Sequence, residues 1–403
     1  MSKIQALQGL KVLDLAWVVA GPAVGRALAD YGAMVVRVES SQRIETARLI
    51  GPYLNGITDP QRCALYDTYN AGKLGLTLNL GSDAGKDVLR DLALWADVLI
   101  ESFAPGQMAR WNLSPDALRE SNPRLIVLST SLMGQTGPMA SFAGYGNVGA
   151  ALAGFQGLAG WEGALPVGPY GPYTDYVGPR FALLALLAAL DRCRVTGQGC
   201  WLDVSQVEAG IQFLGSAVAN AAATGQTPRL VGNKDPQYAP HGVYRCVGQD
   251  EWVAVVARTD EEWRRLALLI GGEAAETQWS TLELRKASEQ KLDVLVEAWT
   301  SIRPALEVER AVQGIGVPAH KVASSKDVVE DSQLQARGHF VRLPHPLGGE
   351  SVFDASRYRL SETPATYSRP APHFGRDVYT VLTDALGYDA ARIEQLHEAG
   401  VLR

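Results

Sequence analysis

Asp175 lies in the segment GPYTDYVGPRF, a lone carboxylate among glycines, prolines and tyrosines, just before an apolar helical stretch, Phe181 to Leu190. A carboxylate held in a cleft can act as a nucleophile, with a reactivity set by the groups around it rather than by bulk water. Its unperturbed pKa of about 3.9 keeps it ionised at neutral pH. An aspartate before a helix also serves as a cap or a solvated turn residue, so the local sequence leaves both roles open. Three other segments carry Gly and Pro where a loop must turn tightly and bring its backbone close to a ligand: WVVAGP at 17–22, ESFAPG at 101–106 and STSLMGQTGP at 129–138. Loops after strands contain such residues in any case.

These segments sit at the ends of strand-like runs. LKVLDLAWVV, MVVRVES, ADVLIESF and LIVLSTSL read as apolar strands, separated by helical patterns that include Lys86 to Trp95 and Pro115 to Glu120. Strand and helix in alternation predict a doubly wound parallel α/β sheet, whose ligands bind beyond the carboxyl ends of the strands. The first turn, AGPAVG, has only Gly21 and Gly25 and lacks the GxGxxG fingerprint, so a nicotinamide enzyme is not supported. Residues 1–204 are expected to form a large domain and 205–236 a linker. GVYRC and EWVAVVA read as a hairpin, followed by helices near 261–270, 289–300 and 305–314. They make 237–317 a small α+β domain, and 318–403 returns to the large one.

Composition narrows the class further. With 403 residues the chain exceeds the roughly 250–300 at which one hydrophobic core stops growing, so at least two folded units are expected. Hydrophobic residues at 47% and charged residues at 20% describe a globular chain and exclude a disordered or fibrous one. A formal charge of -6 without a basic run argues against nucleic acid as a partner. Cys63, Cys193, Cys200 and Cys246 form no CxxC pair and the histidines lack ligand spacing, so no metal and no disulfide framework is expected, which fits a reducing cytoplasm. The N-terminal stretch is interrupted by Lys3, Lys11 and Asp14, and no apolar run approaches the ~18 residues of a membrane-spanning helix, so no membrane segment is expected.

Taken together, nine segments in order resemble the class III coenzyme A transferases, the CaiB/BaiF group that includes formyl-CoA transferase, carnitine CoA-transferase and alpha-methylacyl-CoA racemase. They include LQGLKVLDLAWVVAGPAVGRALADYGAMVVRVE, YNAGKLGLTLNL, ADVLIESFAPGQMARWNL, NPRLIVLSTSLMGQTGP, TDYVGPRFALLALLAAL and RVTGQGCWLDVSQVEA. The resemblance implies a Rossmann-like large domain built from both chain ends, an inserted small domain, and two subunits threaded through each other as linked rings, either identical or paralogous. It implies coenzyme A or an acyl-CoA as substrate, together with a carboxylic acid acceptor. Asp175 then matches the nucleophile that attacks the thioester, forming a mixed anhydride and afterwards an aspartyl-CoA thioester.

The same resemblance places Val18, Val19 and Ala20 beside the thiol arm of CoA, Leu78 and Asn79 in the adenine region, and Phe103 with Arg110 against CoA. Ser102 stands where the family usually has Asn, and Tyr145 joins the CoA-facing set. Ser40 and Ser41 stand where many members carry Arg or Lys, so phosphate binding is expected to lean on Arg37, Arg43 or Lys73. The racemase branch has a His-Asp pair where this chain reads Tyr145 and Gly146, which disfavours racemisation. GNKDPQYAPHGVY replaces the GGGGQ loop of oxalate-handling members, which disfavours a formyl or oxalyl substrate. Trp17, Trp161, Tyr170, Tyr173 and Tyr176 suggest a bulky, partly aromatic acid. SLMGQTGP and GPYTDYVGPRF are similar to subunits that transfer CoA from succinyl-CoA to benzylsuccinate. A silent subunit of a heteromeric transferase is the competing expectation.

Overall fold

The computed structural model describes residues 4–227 and 229–403. Six strands, β1 (Lys11–Asp14), β2 (Met34–Glu39), β3 (Leu74–Thr77), β4 (Val98–Glu101), β5 (Ile126–Ser131) and β6 (Trp201–Ser205), form one parallel sheet in the order β3-β2-β1-β4-β5-β6. Both faces of a parallel sheet must be covered, so apolar residues alternate toward two cores rather than toward one core and water. Val12, Val35, Val98 and Ile126 pack with Val24 and Leu28 of helix α1 (Ala20–Asp30). Leu13, Val36, Leu99 and Val127 pack on the other side with Val88, Leu89 and Leu92 of a helix at Asp83–Trp95. The strand order reverses between β1 and β4, which opens a crevice at their carboxyl ends.

The described chain divides into two compact units. The first takes in the chain up to Gly157, Gly168–Thr227 and Gln335–Arg403, and the second takes in Leu158–Val167 and the stretch ending at Leu334. Within the first, the C-terminal segment closes the β3 edge. Asn79 N–H donates to the Val401 carbonyl at 2.7 Å, and Gly75 N–H donates to Asp377 Oδ2 at 2.7 Å. The second unit is a three-stranded antiparallel sheet, in which His241–Arg245 pairs with Trp252–Val256 and that strand with Ala319–Lys321. Helices at Asp260–Ile270, Glu289–Thr300 and Ala305–Gly314 pack on it around Trp263, Leu292 and Val308.

Four details differ from the sequence reading. The first strand ends at Asp14, because that side chain enters a buried charge network and the chain turns away. The stretch expected as a linker at 205–236 belongs to the first unit as far as Thr227 and holds two helices: Gln206–Phe213, since WLDVSQVEAGIQF reads as a strand followed by a helix, and Gly215–Thr224, which the sequence reading does not anticipate. Apolar GIQF and the alanine-rich run that follows favour helix. The second unit runs on to Leu334 rather than stopping at 317. Finally, the helix expected from Phe181 begins at Tyr173, so Asp175 lies inside its first turn and Pro179 is an interior residue. Pro179 has no N–H to give to the Asp175 carbonyl, and this proline is what made the start look later.

Candidate active site

Three helices bring their N-termini to one carboxyl group. After α1 they are α2 (Gly146–Ala153), α3 (Tyr173–Thr196) and α4 (Gln206–Phe213), the last following directly from β6. Asp175, third residue of α3, is only 4% exposed. Its carboxyl accepts hydrogen bonds from the Gly146 N–H and from the Gln206 side chain. Thr174 Oγ1 lies 3.2 Å from the Gly146 carbonyl and 3.4 Å from Gln206 Oε1, and the Gln206 amide turns its NH2 to the Asp175 carboxyl, which can only accept when ionised. The approach is close enough to require glycine at 146, where a Cβ would lie 2.4 Å from the Pro172 carbonyl and 2.5 Å from Asp175 N. There is thus no room for the acidic partner that the racemase branch carries at this place.

Burial pushes the Asp175 carboxyl up to about 6, against the lowering effect of the Gly146 and Gln206 hydrogen bonds. Among the described residues it makes no ion pair. It therefore remains ionised at neutral pH but is a stronger base and nucleophile than a solvated aspartate. Partial positive charge at three helix N-termini stabilises negative charge arriving at the same point.

Asp175 opens into a chamber of about 290 Å³ walled by Trp17, Val18, Phe142, Tyr145 and the ends of β4 and β5. Thr130 Oγ1 and Ser131 Oγ are buried without hydrogen-bond partners, and both residues line it. Through Trp17, Ser102, Phe103 and Ala104 the chamber continues into a cleft of about 550 Å³ lined by Arg43, Leu78, Asn79, Gln107 and Trp111. Phe103 and Trp111 meet edge to face at 5.1 Å, and the Arg43 guanidinium lies over the Trp17 ring, 5.5 Å from its centroid. The two cavities together form a bent, largely apolar channel that ends at the Asp175 carboxyl.

The loop between β1 and α1 forms the bend, and its backbone is strained. Val18 has φ 67°, a left-handed conformation rare for a β-branched residue. It is held there because Val18 N–H donates to Glu45 Oε2 at 3.1 Å and Trp17 N–H donates to Ser102 Oγ at 2.8 Å. Ser102 thus ties the two sides of the crevice together as well as lining it.

Most of the residues expected from sequence gather here. Val18, Val19, Ala20 and Tyr145 line the chamber with Asp175, Leu78 and Asn79 line the cleft, and Ser102 and Phe103 line both. Two do not. Arg37 is fully buried, paired with Asp14 and Glu45, and so cannot reach a phosphate; Lys73 is equally buried against Asp14. Arg110 is exposed, donates to Gln107 Oε1 at 2.5 Å and lies outside the cleft lining. Arg43 is the arginine on the cleft wall. Of the aromatic residues, Trp17 faces the chamber, Tyr173 packs edge-on against Phe155 at 5.0 Å, and Trp161 belongs to the second unit. Sequence reasoning missed Gln206. Its signal was Ser205, an N-cap residue, closing the last strand and leaving the next residue at a helix start beside the other strand ends.

The model of CoA-transferase family III matches residues 7–378. The chain belongs to that family. The transferase is 30% identical over 382 residues to succinate–glutarate CoA-transferase of Agrobacterium fabrum, covering 94% of this chain and 95% of that one. It is 30% identical over 401 residues to a probable CoA-transferase of Mycobacterium tuberculosis, covering 96% of this chain but spanning about half (49%) of that relative. A crystal structure of a CaiB/BaiF family protein from Brucella suis superposes with a TM-score of 0.88 at 27% identity, covering 95% of this chain and all of that one. The transferase therefore moves coenzyme A between an acyl-CoA and an organic acid.

Proposed function

We propose that Asp175 carries the acyl group covalently and that the bent channel holds CoA, with succinyl-CoA as donor and an organic acid, such as an aromatic dicarboxylate of the benzylsuccinate type, as acceptor. The supporting observation is the buried carboxylate itself, unpaired by any cation among the described residues, faced by N–H donors and placed where the channel ends. In the first step an Asp175 oxygen attacks the thioester carbonyl and CoA leaves as thiolate, giving a mixed anhydride. The thiolate then attacks the Asp175 carbonyl carbon and expels the donor carboxylate, leaving an aspartyl-CoA thioester. The acceptor carboxylate attacks that thioester, and the returning thiolate takes the new acyl group and frees Asp175. Each tetrahedral oxyanion needs donors already in place, and Gln206 with the unpartnered hydroxyls of Thr130 and Ser131 supplies candidates.

Incubation with succinyl-CoA and hydroxylamine, followed by peptide mass spectrometry, is expected to find a hydroxamate on Asp175 that is absent without donor. Unmodified Asp175 in a preparation that transfers CoA would exclude the covalent route.

The cleft suits the nucleotide end of CoA, with Phe103 and Trp111 as an apolar wall and Arg43 as the phosphate partner. Replacing Arg43 by Ala is expected to raise the KM for acyl-CoA roughly tenfold, the loss of one charge-assisted contact, and to leave kcat largely unchanged, because the reacting atoms lie at the other end of the channel. Steady-state kinetics with varied donor reads this directly. By the same family resemblance the transferase is expected to work as a threaded dimer, and native mass spectrometry of the purified chain distinguishes identical from paralogous subunits.

A further inference from the structure

A second cavity, of about 300 Å³, lies along α3, and among the described residues Asp175 is the one that lines both it and the chamber. Its α3 wall consists of Asp175, Tyr176, Pro179, Arg180 and Leu183, facing Arg26 of α1 and the Arg357–Tyr358 segment. Three guanidiniums meet here, and two have partners. Arg26 Nε is 2.9 Å from Asp30 Oδ1 and its Nη2 donates to the Asp354 carbonyl at 3.0 Å, while Arg357 pairs with the Asp354 carboxylate. Among the described residues, Arg180 has neither a hydrogen bond nor an ion pair. Burial and the nearby Arg357 charge lower its pKa, against smaller raising effects of Tyr69, Asp354 and Tyr358, so Arg180 feels the Asp354 carboxylate without forming an ion pair with it.

Arg180 does not reach Asp175. Five residues along a helix separate them by about 7.5 Å and by about 140° of rotation, and no ion pair forms between them. A small diacid, whose carboxyl carbons stand on the order of 4–6 Å apart, spans less than that rise, and the long arginine side chain supplies the remaining reach, so that one carboxyl can lie at Asp175 while the other meets the guanidinium. Arginine suits this task because its planar fork matches a carboxylate in two hydrogen bonds.

We propose that Arg180 is the specificity-determining residue for dicarboxylic substrates, receiving the remote carboxylate while the reacting carboxyl lies at Asp175. This rests on the reading of Asp175 as the acyl carrier. Because donor and acceptor acyl groups occupy the nucleophile in turn, one guanidinium serves both the free carboxylate of succinyl-CoA and that of a diacid acceptor. A monocarboxylic acid with the same carbon skeleton but lacking the second carboxylate gains nothing from it.

Calorimetric titration of the full chain with glutarate and with butyrate tests this without turnover. Repulsion between the reacting carboxylate and ionised Asp175 is common to both acids, so their affinity ratio isolates the remote contact. The parent is expected to prefer glutarate by roughly ten- to a hundredfold, the strength of one charge-assisted contact. Arg180→Leu is expected to erase the preference and Arg180→Lys to keep part of it, all three proteins melting at similar temperatures. No preference in the parent, or a preference that survives Arg180→Leu, overturns the proposal. Hydroxylamine trapping on Asp175, run on the same preparations, shows separately whether the acyl-carrier reading stands.

Discussion

Replacing Asp175 by Asn is expected to lower CoA transfer by at least about a thousandfold, as loss of a covalent nucleophile does, and at the same time to make the protein harder to melt at neutral pH. The two effects share one cause. Burial holds the folded carboxyl near 6 where an unfolded aspartate titrates at 3.8. Below pH 3.8 both states are protonated and the group is neutral toward folding. Between 3.8 and about 6 the unfolded chain ionises while the folded one does not, and stability falls as pH rises. Above about 6 the full cost of a buried carboxylate is present, on the order of 3 kcal/mol. Asn keeps an oxygen for the Gly146 N–H but carries no charge, so the gain in melting temperature should be absent near pH 4 and amount to several degrees at pH 8. Calorimetry across that range decides. A variant that turns over, or one no more stable at pH 8 than its parent, contradicts the assignment of both the role and the environment.

The same titration sets the activity profile. Only the ionised carboxylate attacks a thioester, so kcat/KM for the acyl-CoA donor should fall about tenfold per pH unit below about 6. A solvated aspartate would hold its activity for two further units.

The parts of this site that were legible in sequence share a physical reason. Parallel strands all end on one side of the sheet, so the loops after β1, β4 and β5 had to converge, and their Gly and Pro residues marked them. Asp175 could be named from its local chemistry, but its role came from resemblance across the chain, because a cap and a nucleophile look alike over ten residues. Gln206 was not legible, since its function depends on where β6 lies in the sheet and not on its neighbours in sequence. Nor could Arg180 be told from any other exposed helix arginine, because its distinction is the partner it lacks. Arg37 is different, for its signal was present and pointed the other way. MVVRVES is an apolar strand interrupted by one arginine, and a charge in the middle of a sheet covered on both faces cannot reach solvent or a substrate phosphate. It has to be buried and paired.

That pairing supports the second large effect, Arg37→Met. Arg37 Nη1 lies 3.3 Å from Asp14 Oδ1 and also donates to the Ala16 carbonyl, and Nη2 lies 2.7 Å from Glu45 Oε2 without a well-directed hydrogen bond, so that contact is chiefly electrostatic. Asp14 is held in turn by Lys73 Nζ at 2.6 Å. Two anions and two cations thus balance inside the protein, and this network carries the strained loop. Ala16 N–H donates to Asp14, the Ala16 carbonyl accepts from Arg37, and Val18 N–H donates to Glu45. Burial opposes the Arg37 charge, but Glu45 and Asp14 outweigh it and raise its pKa. Removing the guanidinium leaves Glu45 without its counterion in a dry site, where breaking a buried pair costs about 3–5 kcal/mol. Glu45 already titrates high through burial, so it should take up a proton and cease to hold Val18 firmly. Lys73, lowered to about 8 by burial and by the like charge of Arg37, should recover and offset part of the loss at Asp14. The expected result is therefore a drop in unfolding midpoint together with a raised KM for CoA, since Val18 lines the chamber. Adding Glu45→Gln to Arg37→Met should destabilise by less than the sum of the two single changes, because the second substitution removes the charge stranded by the first. Strictly additive losses would show that the pair is not what holds the loop.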